Sequence, residues 1–302
     1  MNKVTVFLRG GLGNQMFQYA AGFALARRNN AVLVLDTTFM NDRFPRRQFT
    51  YRTYDLDVFT VEPRFTALSR ASARMPIPGV WLGLDIAGIA ARRAIGAQKV
   101  IKETAGQDID LKNFAAAKNV FLWGFWQSQK YFDDAIEDLH ETQFCFRHPL
   151  EGKAKALGEE IASVNSVSVH VRRGDYLLPT NQALFGGTDL AYYERAAAHI
   201  AEKVPNPHFY VFSDDIAWCR ENLKLPAAGG ITFVDDFCGG PKFSFSLQLM
   251  ALCRHNIIAN SSFSWWGAWL NRNPEKIVVA PKQWHPGALD HEDIVPQEWM
   301  RM

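Results

Sequence analysis

The 302-residue sequence has only four cysteines, no long apolar run and almost no excess charge. Cys145, Cys219, Cys238 and Cys253 stand at wide, irregular intervals with no C-x-x-C pair and no matching histidine spacing. That pattern argues against a disulfide scaffold and a structural zinc site, and for thiols in a reducing compartment. A formal net charge of +2 leaves no global field to gather nucleic acid, so anionic partners have to be met by individually placed residues. The longest apolar stretch, Pro78 to Ala91, is broken by Asp85 and falls short of the ~20 residues of a membrane-spanning helix. The N-terminal MNKVTVFLRGG runs straight into a strand pattern and lacks an apolar h-region with a small-residue cleavage site. The sequence therefore predicts a cytoplasmic protein with at most peripheral contact to the inner face of a membrane.

What is present is a hydrophobic content suited to two medium-sized domains, and one stretch stands out. In Ser166–Tyr176, SVSVHVRRGDY, Val167, Val169 and Val171 alternate with Ser168, His170 and Arg172. At the two-residue period of a strand, His170 and Arg172 share one face while Arg173 looks the other way, and Gly174 ends the strand. A guanidinium carried out on such a tip is suited to holding a phosphate or carboxylate. The competing reading is an arginine pair tied into ion pairs under a surface loop; the RGD string also invites cell adhesion, but a tripeptide recurs by chance.

Earlier in the chain, Val4–Leu8 reads as a strand, Arg9 to Gly13 as a glycine turn, and Asn14 as the N-cap of a helix from Gln15 to Arg28; a second strand, Ala31–Leu35, ends in Asp36. The third glycine of a G-x-G-x-x-G dinucleotide fingerprint would fall on Met16, so that motif fails. Bare backbone at Gly10, Gly11 and Gly13 still allows close approach of a ligand to a helix N-terminus, unless the segment is a plain strand-to-helix turn. Asp55-Leu56-Asp57 and Asp108-Ile109-Asp110 match a D-x-D pattern but follow no apolar strand, and read as turn or edge carboxylates. Between residues 64 and 102, Arg70, Arg74, Arg92, Arg93 and Lys99 oppose a single Asp85 along a helical pattern, read as an ordinary helix with a solvated basic face, with a membrane-surface helix as the alternative. The strand Val120–Phe125 opens into Trp126 and Gln127, suited to a sugar face and its hydroxyls or else to a core edge, before a helix reaching about Glu141.

From Val167 onward strands and helices alternate strictly, which means a doubly wound parallel sheet. Two further tips then join that of Arg172. Ser213-Asp214-Asp215 offers acids to a base or ribose, or a helix cap, and Asn260-Ser261-Ser262-Phe263 opens a helix whose free amides suit an anion. Trp265 and Trp269 share a helix face and read as core, with Trp266 directed elsewhere.

Taken together, GGLGNQMFQYA, SVHVRRGDY, FSDD and NSSFSWWGAWL resemble the family 11 glycosyltransferases, the bacterial and animal α1,2-fucosyltransferases, nearly end to end. A weaker similarity to α1,6-fucosyltransferases and protein O-fucosyltransferases rests on the H-x-R-R-G-D element and the Gly-x-x-Gly-Asn turn. The resemblance implies an α/β fold of GT-B type, two Rossmann-like domains facing a cleft, with residues 1–150 on the acceptor side and residues 151–302 binding GDP-fucose. The last residues are expected to be able to pack back on the first domain. It also implies inverting transfer of L-fucose from GDP-β-L-fucose to the 2-hydroxyl of a β-galactoside, on a galactose-terminated oligosaccharide or glycolipid such as an O-antigen, with no metal and no other cofactor. Carried over by position, Arg172, Asp175, Asn14 and His170 form the catalytic set, Arg172 holding the β-phosphate. Gly10, Gly11, Gly13, Arg173, Ser213, Asp214, Asn260, Ser261, Ser262 and Phe263 line the donor site, Arg173 in a mainly structural role, and Asp36, Trp126 and Gln127 serve the acceptor. Asp175, His170 and Asp36 are the candidates for a base. One departure from the family pattern is Ser246, where relatives commonly carry an acid, so guanine is left to Asp214, a backbone carbonyl or a water. The alternatives are a protein O-fucosyltransferase or α1,6-fucosyltransferase on the same scaffold, and more remotely a nucleotide-sugar-binding protein without turnover.

Overall fold

The computed structural model describes residues 1–46, 50–104, 109–173, 189–226, 228–235, 238–284 and 293–302. The chain divides into two compact units, Met1–Arg147 and His148–Met302.

The first unit contains β1 (Lys3–Phe7), α1 (Leu12–Arg28), β2 (Val32–Asp36), α2 (Thr38–Asn41), β3 (Arg64–Phe65), α3 (Ala67–Arg74), α4 (Val80–Ala94), β4 (Lys99–Lys102), β5 (Asn119–Trp123) and α5 (Ile136–Asp138). Its five strands are parallel in the order β3-β2-β1-β5-β4. Helix α1 begins at Leu12, two residues ahead of the expected cap at Asn14, and lies so close to β1 that a side chain added at Gly22 would meet Val6 at 2.2 Å. In its last turn, where the helix dipole favours a cation, Arg28 donates to both oxygens of Asp134. The single helix expected up to about Glu141 is instead a tight turn at Asp133–Ala135, α5, and a wide turn at Leu139–Gln143. The buried residues explain this: Phe132, Ala135, Leu139 and Phe144 are spaced by progressively longer steps, which one constant helical period does not keep on one side.

The second unit contains α6 (Gly152–Ser163), β6 (Ser166–Val171), α7 (Leu190–Lys203), β7 (His208–Ser213), α8 (Ile216–Asn222), β8 (Ile231–Phe233), α9 (Ser244–Leu252), β9 (His255–Ile257), α10 (Ser262–Leu270), β10 (Val278–Ala280) and β11 (Met300–Arg301). All six strands are parallel, in the order β11-β10-β9-β6-β7-β8. β6 is buried on both faces, as a doubly wound sheet requires. Val167, Val169 and Val171 join Phe209, Val211 and residues of α7 in one core, while Tyr210 and Phe212 face a second core with residues of α6 and α9. The Tyr192 hydroxyl of α7 bonds the carbonyls of Ile258 and Val279. Inside the sheet the Asn256 amide donates to Ser168 Oγ and accepts from Asn271, so these buried polar groups satisfy one another.

The last strand, β11, pairs with β10 and completes the second unit's own sheet. Trp266, directed off the face that Trp265 and Trp269 share, is fully buried as well, edge-on to both of them.

Each sheet has one point where the strand order reverses. The chain leaves β1 for β2 on one side and later places β5 on the other; it leaves β6 for β7 and later places β9 on the other. Crevices beyond the strand C-termini at such points are where open α/β sheets bind ligands.

Candidate active site

In the second unit, the β6 and β7 tips form one bonded structure. Arg172 Nη1 lies 3.2 Å from Asp214 Oδ2, and both side chains keep about a quarter of their surface exposed (27% and 26%). The other oxygen of Asp214 accepts from the backbone N–H of Arg173 at 2.9 Å. Arg173 turns away, as strand alternation requires: its guanidinium lies 3.5 Å over the Trp218 ring and Nε donates to Asp215. Asp215 in turn caps α8 by accepting from Trp218 N–H, and its own N–H donates to Ser213 Oγ. Asp215 thus caps the helix, and Asp214 is ion-paired to Arg172.

On the other side of β6, Asn260 is buried and its amide donates to the Trp284 carbonyl. Ser261 is the N-cap of α10, and among the described residues its side chain makes no capping hydrogen bond. The first residues, Ser262 and Phe263, thus carry backbone N–H groups suited to an anion. The Phe263 ring lies 6.0 Å from that of His170, joining this helix end to β6. Burial first, and the neighbouring Arg172 second, push the His170 imidazole down to about 3 against the opposing pull of Asp214, so the ring is neutral at physiological pH. Its Nδ1 is buried without a hydrogen-bond partner among the described residues. Asp175 lies outside the described residues. Ser246 occupies the first turn of α9, half-buried, with its N–H toward the Gly239 carbonyl.

In the first unit, the tips of β1 and β5 meet at the switch point. Gly10 has φ +84°, and a side chain there would come within 2.5 Å of Asn14 Nδ2. At Gly11 the same addition would meet open space, so this backbone is bare on its outer side. Gly13 is buried inside the first turn of α1. Gln127 Nε2 donates to Asn14 Oδ1 at 2.7 Å, and the Arg9 guanidinium lies 4.0 Å over the Phe125 ring. Two expected acceptor residues are placed differently. Trp126 is fully buried at φ +54°, edge-on to Tyr131, so its ring has no face left for a sugar. Its N–H and that of Phe125 both donate to the Glu103 carboxylate, a support that no local pattern around Glu103 signals in advance. Asp36 is sealed in the interior, where Oδ1 accepts from Thr38 N–H, Thr38 Oγ1 and Ser69 Oγ. Asp85, also buried, packs beside it, and burial together with the Asp36 charge pushes the Asp85 carboxyl up to about 7. The Asp85 carboxyl therefore keeps its proton toward neutral pH.

The sequence from residue 3 to residue 302 matches the model of the glycosyl transferase family 11. The chain belongs to glycosyl transferase family 11. This family 11 glycosyltransferase is 32% identical to an alpha-1,2-colitosyltransferase of Escherichia coli, over 100% of the chain and 99% of the relative. It is 30% identical to the O-antigen biosynthesis glycosyltransferase WbnK of Escherichia coli, over 93% and 94% respectively. It is also 26% identical to human galactoside alpha-(1,2)-fucosyltransferase 1, over 88% of the chain and 65% of that protein. Among solved structures it resembles a point mutant of Arabidopsis thaliana FUT1 in complex with GDP, with a TM-score of 0.53 at 13% identity, covering 99% of this chain and 76% of the other. The fold is that of GT-B glycosyltransferases, with two parallel-sheet Rossmann-like units. Among the described residues no helix is long and apolar enough to cross a membrane.

Proposed function

We propose that this glycosyltransferase transfers L-fucose from GDP-β-L-fucose, with inversion, to the 2-hydroxyl of a β-galactoside, forming an α1,2 linkage on an oligosaccharide or glycolipid of the O-antigen kind. The observation that carries this reading is the Arg172 guanidinium, fixed by Asp214 at the tip of β6 and neighboured across the switch point by the uncapped start of α10. As the bond from the anomeric carbon to the phosphate oxygen breaks, negative charge grows on the β-phosphate of GDP. A cation fixed in advance and helix-end amides stabilise that charge more in the transition state than in the ground state. In this reading Arg172 does the work of a divalent ion and no metal is needed. Arg173, stacked on Trp218, keeps the tip rigid.

The acceptor hydroxyl loses its proton late in a loose transition state, which lowers the demand on a base. His170 is too weak a base at neutral pH, and Asp36 is committed to interior donors. Asp175 is then the base in this proposal. Asn14 and Gln127, already bonded to each other, supply polar groups for sugar hydroxyls. The relatives support the α1,2 linkage and also raise a second donor, because a colitosyltransferase is among the most similar of them. Colitose is fucose without its 3-hydroxyl, so GDP-colitose makes the same demands on Arg172.

The test is a donor-by-acceptor matrix: GDP-fucose and GDP-colitose with β-galactosides, linkage read by NMR, with and without a chelator. An α1,2-fucoside formed at an undiminished rate in chelator bears the proposal out. Turnover confined to GDP-colitose moves the donor to the second reading, and loss of turnover in chelator removes Arg172 from the metal's role.

A further inference from the structure

We propose that α4, with the turn before it, is a docking surface for a lipid bilayer bearing anionic headgroups. The observation is an inverted helix face. A surface helix normally turns charged residues to solvent, and the sequence pattern of residues 64 to 102 taken alone reads that way. In the structure, Asp85 and Ile89 of α4 are buried, and the side opposite them carries Val80, Gly83, Leu84, Ala87, Ala91 and Ile95. No charged residue interrupts this stripe along the whole helix. Leu84 is 53% exposed and Ile95, just past the helix end, 78%. The patch extends beyond the helix, for Met75 and Ile77 in the preceding turn are exposed, as is Phe44, whose ring packs against Gly79 at the helix start. An exposed apolar patch built from three segments marks an interaction site rather than scatter.

Charge decides the occupant. From residue 63 to residue 102 the basic residues are Arg64, Arg70, Arg74, Arg92, Arg93, Lys99 and Lys102, and the only acid is Asp85, buried on the inner side. Arg92 and Arg93 leave α4 on opposite flanks and are exposed. A second copy of this chain seated on the same face would set these cations against their equivalents with no acid to offset them. A bilayer accepts both features at once: the apolar stripe enters the boundary between headgroups and acyl chains, while the flanking guanidiniums reach phosphate groups. The helix lies in the interface and does not cross it. This inference stands independently of which sugar the enzyme transfers.

The test is flotation of the whole protein with vesicles of phosphatidylcholine alone and of phosphatidylcholine mixed with phosphatidylglycerol. The protein is expected to rise with the mixed vesicles and to remain behind with the neutral ones. Leu84→Glu with Ile95→Glu should abolish flotation, and Arg74→Gln with Arg93→Gln should weaken it on the order of tenfold. Circular dichroism and GDP affinity are expected to stay at parent values in both variants, since none of these residues belongs to the site. Absence of the parent protein from mixed vesicles would overturn the proposal. So would flotation of the Glu variant equal to the parent, or equal binding to neutral vesicles. A concentration-dependent dimer in sedimentation velocity that the Glu pair dissolves, without vesicle binding, would assign the face to a second copy instead.

Discussion

The two units share a parallel sheet with one strand-order reversal, yet they furnish that point in opposite ways. In the second unit the crevice carries charge, and each charge is anchored: Arg172 to Asp214, Arg173 to Asp215 and to the Trp218 ring. In the first unit the corresponding tips carry bare glycine backbone and the amide pair Asn14–Gln127, while the acids Asp36 and Asp85 are withdrawn into the core. In the proposed function one end meets a full negative charge and the other meets hydroxyl groups. A shared topology thus fixes where a ligand sits, and the side chains at the tips decide what kind of ligand it is.

That contrast is sharpest at Arg172. Arg172→Ala should lower kcat by about 10² to 10³ with the fold intact, the scale of losing one placed donor, as measured by GDP release under saturating donor and acceptor. If Asp214 acts by holding Arg172, Asp214→Ala should lower kcat by about tenfold and add little in the double variant, because neighbours in one network are not additive. If Asp214 instead reads the ribose or base, its loss should raise the KM for donor and leave kcat near the parent value. In the first unit, Gly10→Ala should destabilise by about 1–2 kcal/mol, since φ there is left-handed and the new methyl would press on Asn14. A lowered Tm in that variant, and a parent Tm in Gly11→Ala, would separate the strained position from the open one.

The smallest effect concerns the withdrawn acids. Asp85 holds its proton up to about pH 7 in the folded protein, whereas an unfolded aspartate loses it near pH 4. Between those values the folded state binds the extra proton, so this contribution to stability is complete at low pH and is lost as pH rises through about 7. Asp85→Asn, which keeps a donor toward Asp36, should flatten that part of the Tm profile and melt higher than the parent at pH 8. An unchanged profile would mean that burial beside Asp36 does not raise the Asp85 carboxyl.

How much of this was legible in the sequence differs between the two ends. The period-two run in β6 separated Arg172 from Arg173 correctly, because alternation is a local property of the backbone and the contacts obey it. The helix Leu190–Lys203 follows the strand-and-helix alternation read from Val167 onward, and the structure shows it capped by Asp189 with Lys203 in its last turn. Trp126 and Asp36 were harder. Each has the right residue type at the right strand tip, but burial depends on what packs above: Tyr131 on the one, Thr38, Ser69 and Asp85 on the other. β3 and β4 were missed because they are short edge strands whose pairing with β2 and β5 is not written in their own composition. The apolar outer face of α4 was hidden by the number of arginines around it, since composition counts charges without saying which side of the helix they take.

In the proposed function the side chain at position 172 meets the β-phosphate of the donor. Titrating GDP and GMP into the parent and into Arg172→Ala by calorimetry tests it without any acceptor. The parent is expected to prefer GDP over GMP by at least about tenfold, the scale of one charge-assisted phosphate contact, and the variant to lose most of this preference while its GMP affinity stays close to the parent value. A variant that weakens both nucleotides equally, or keeps the preference for GDP, would contradict it.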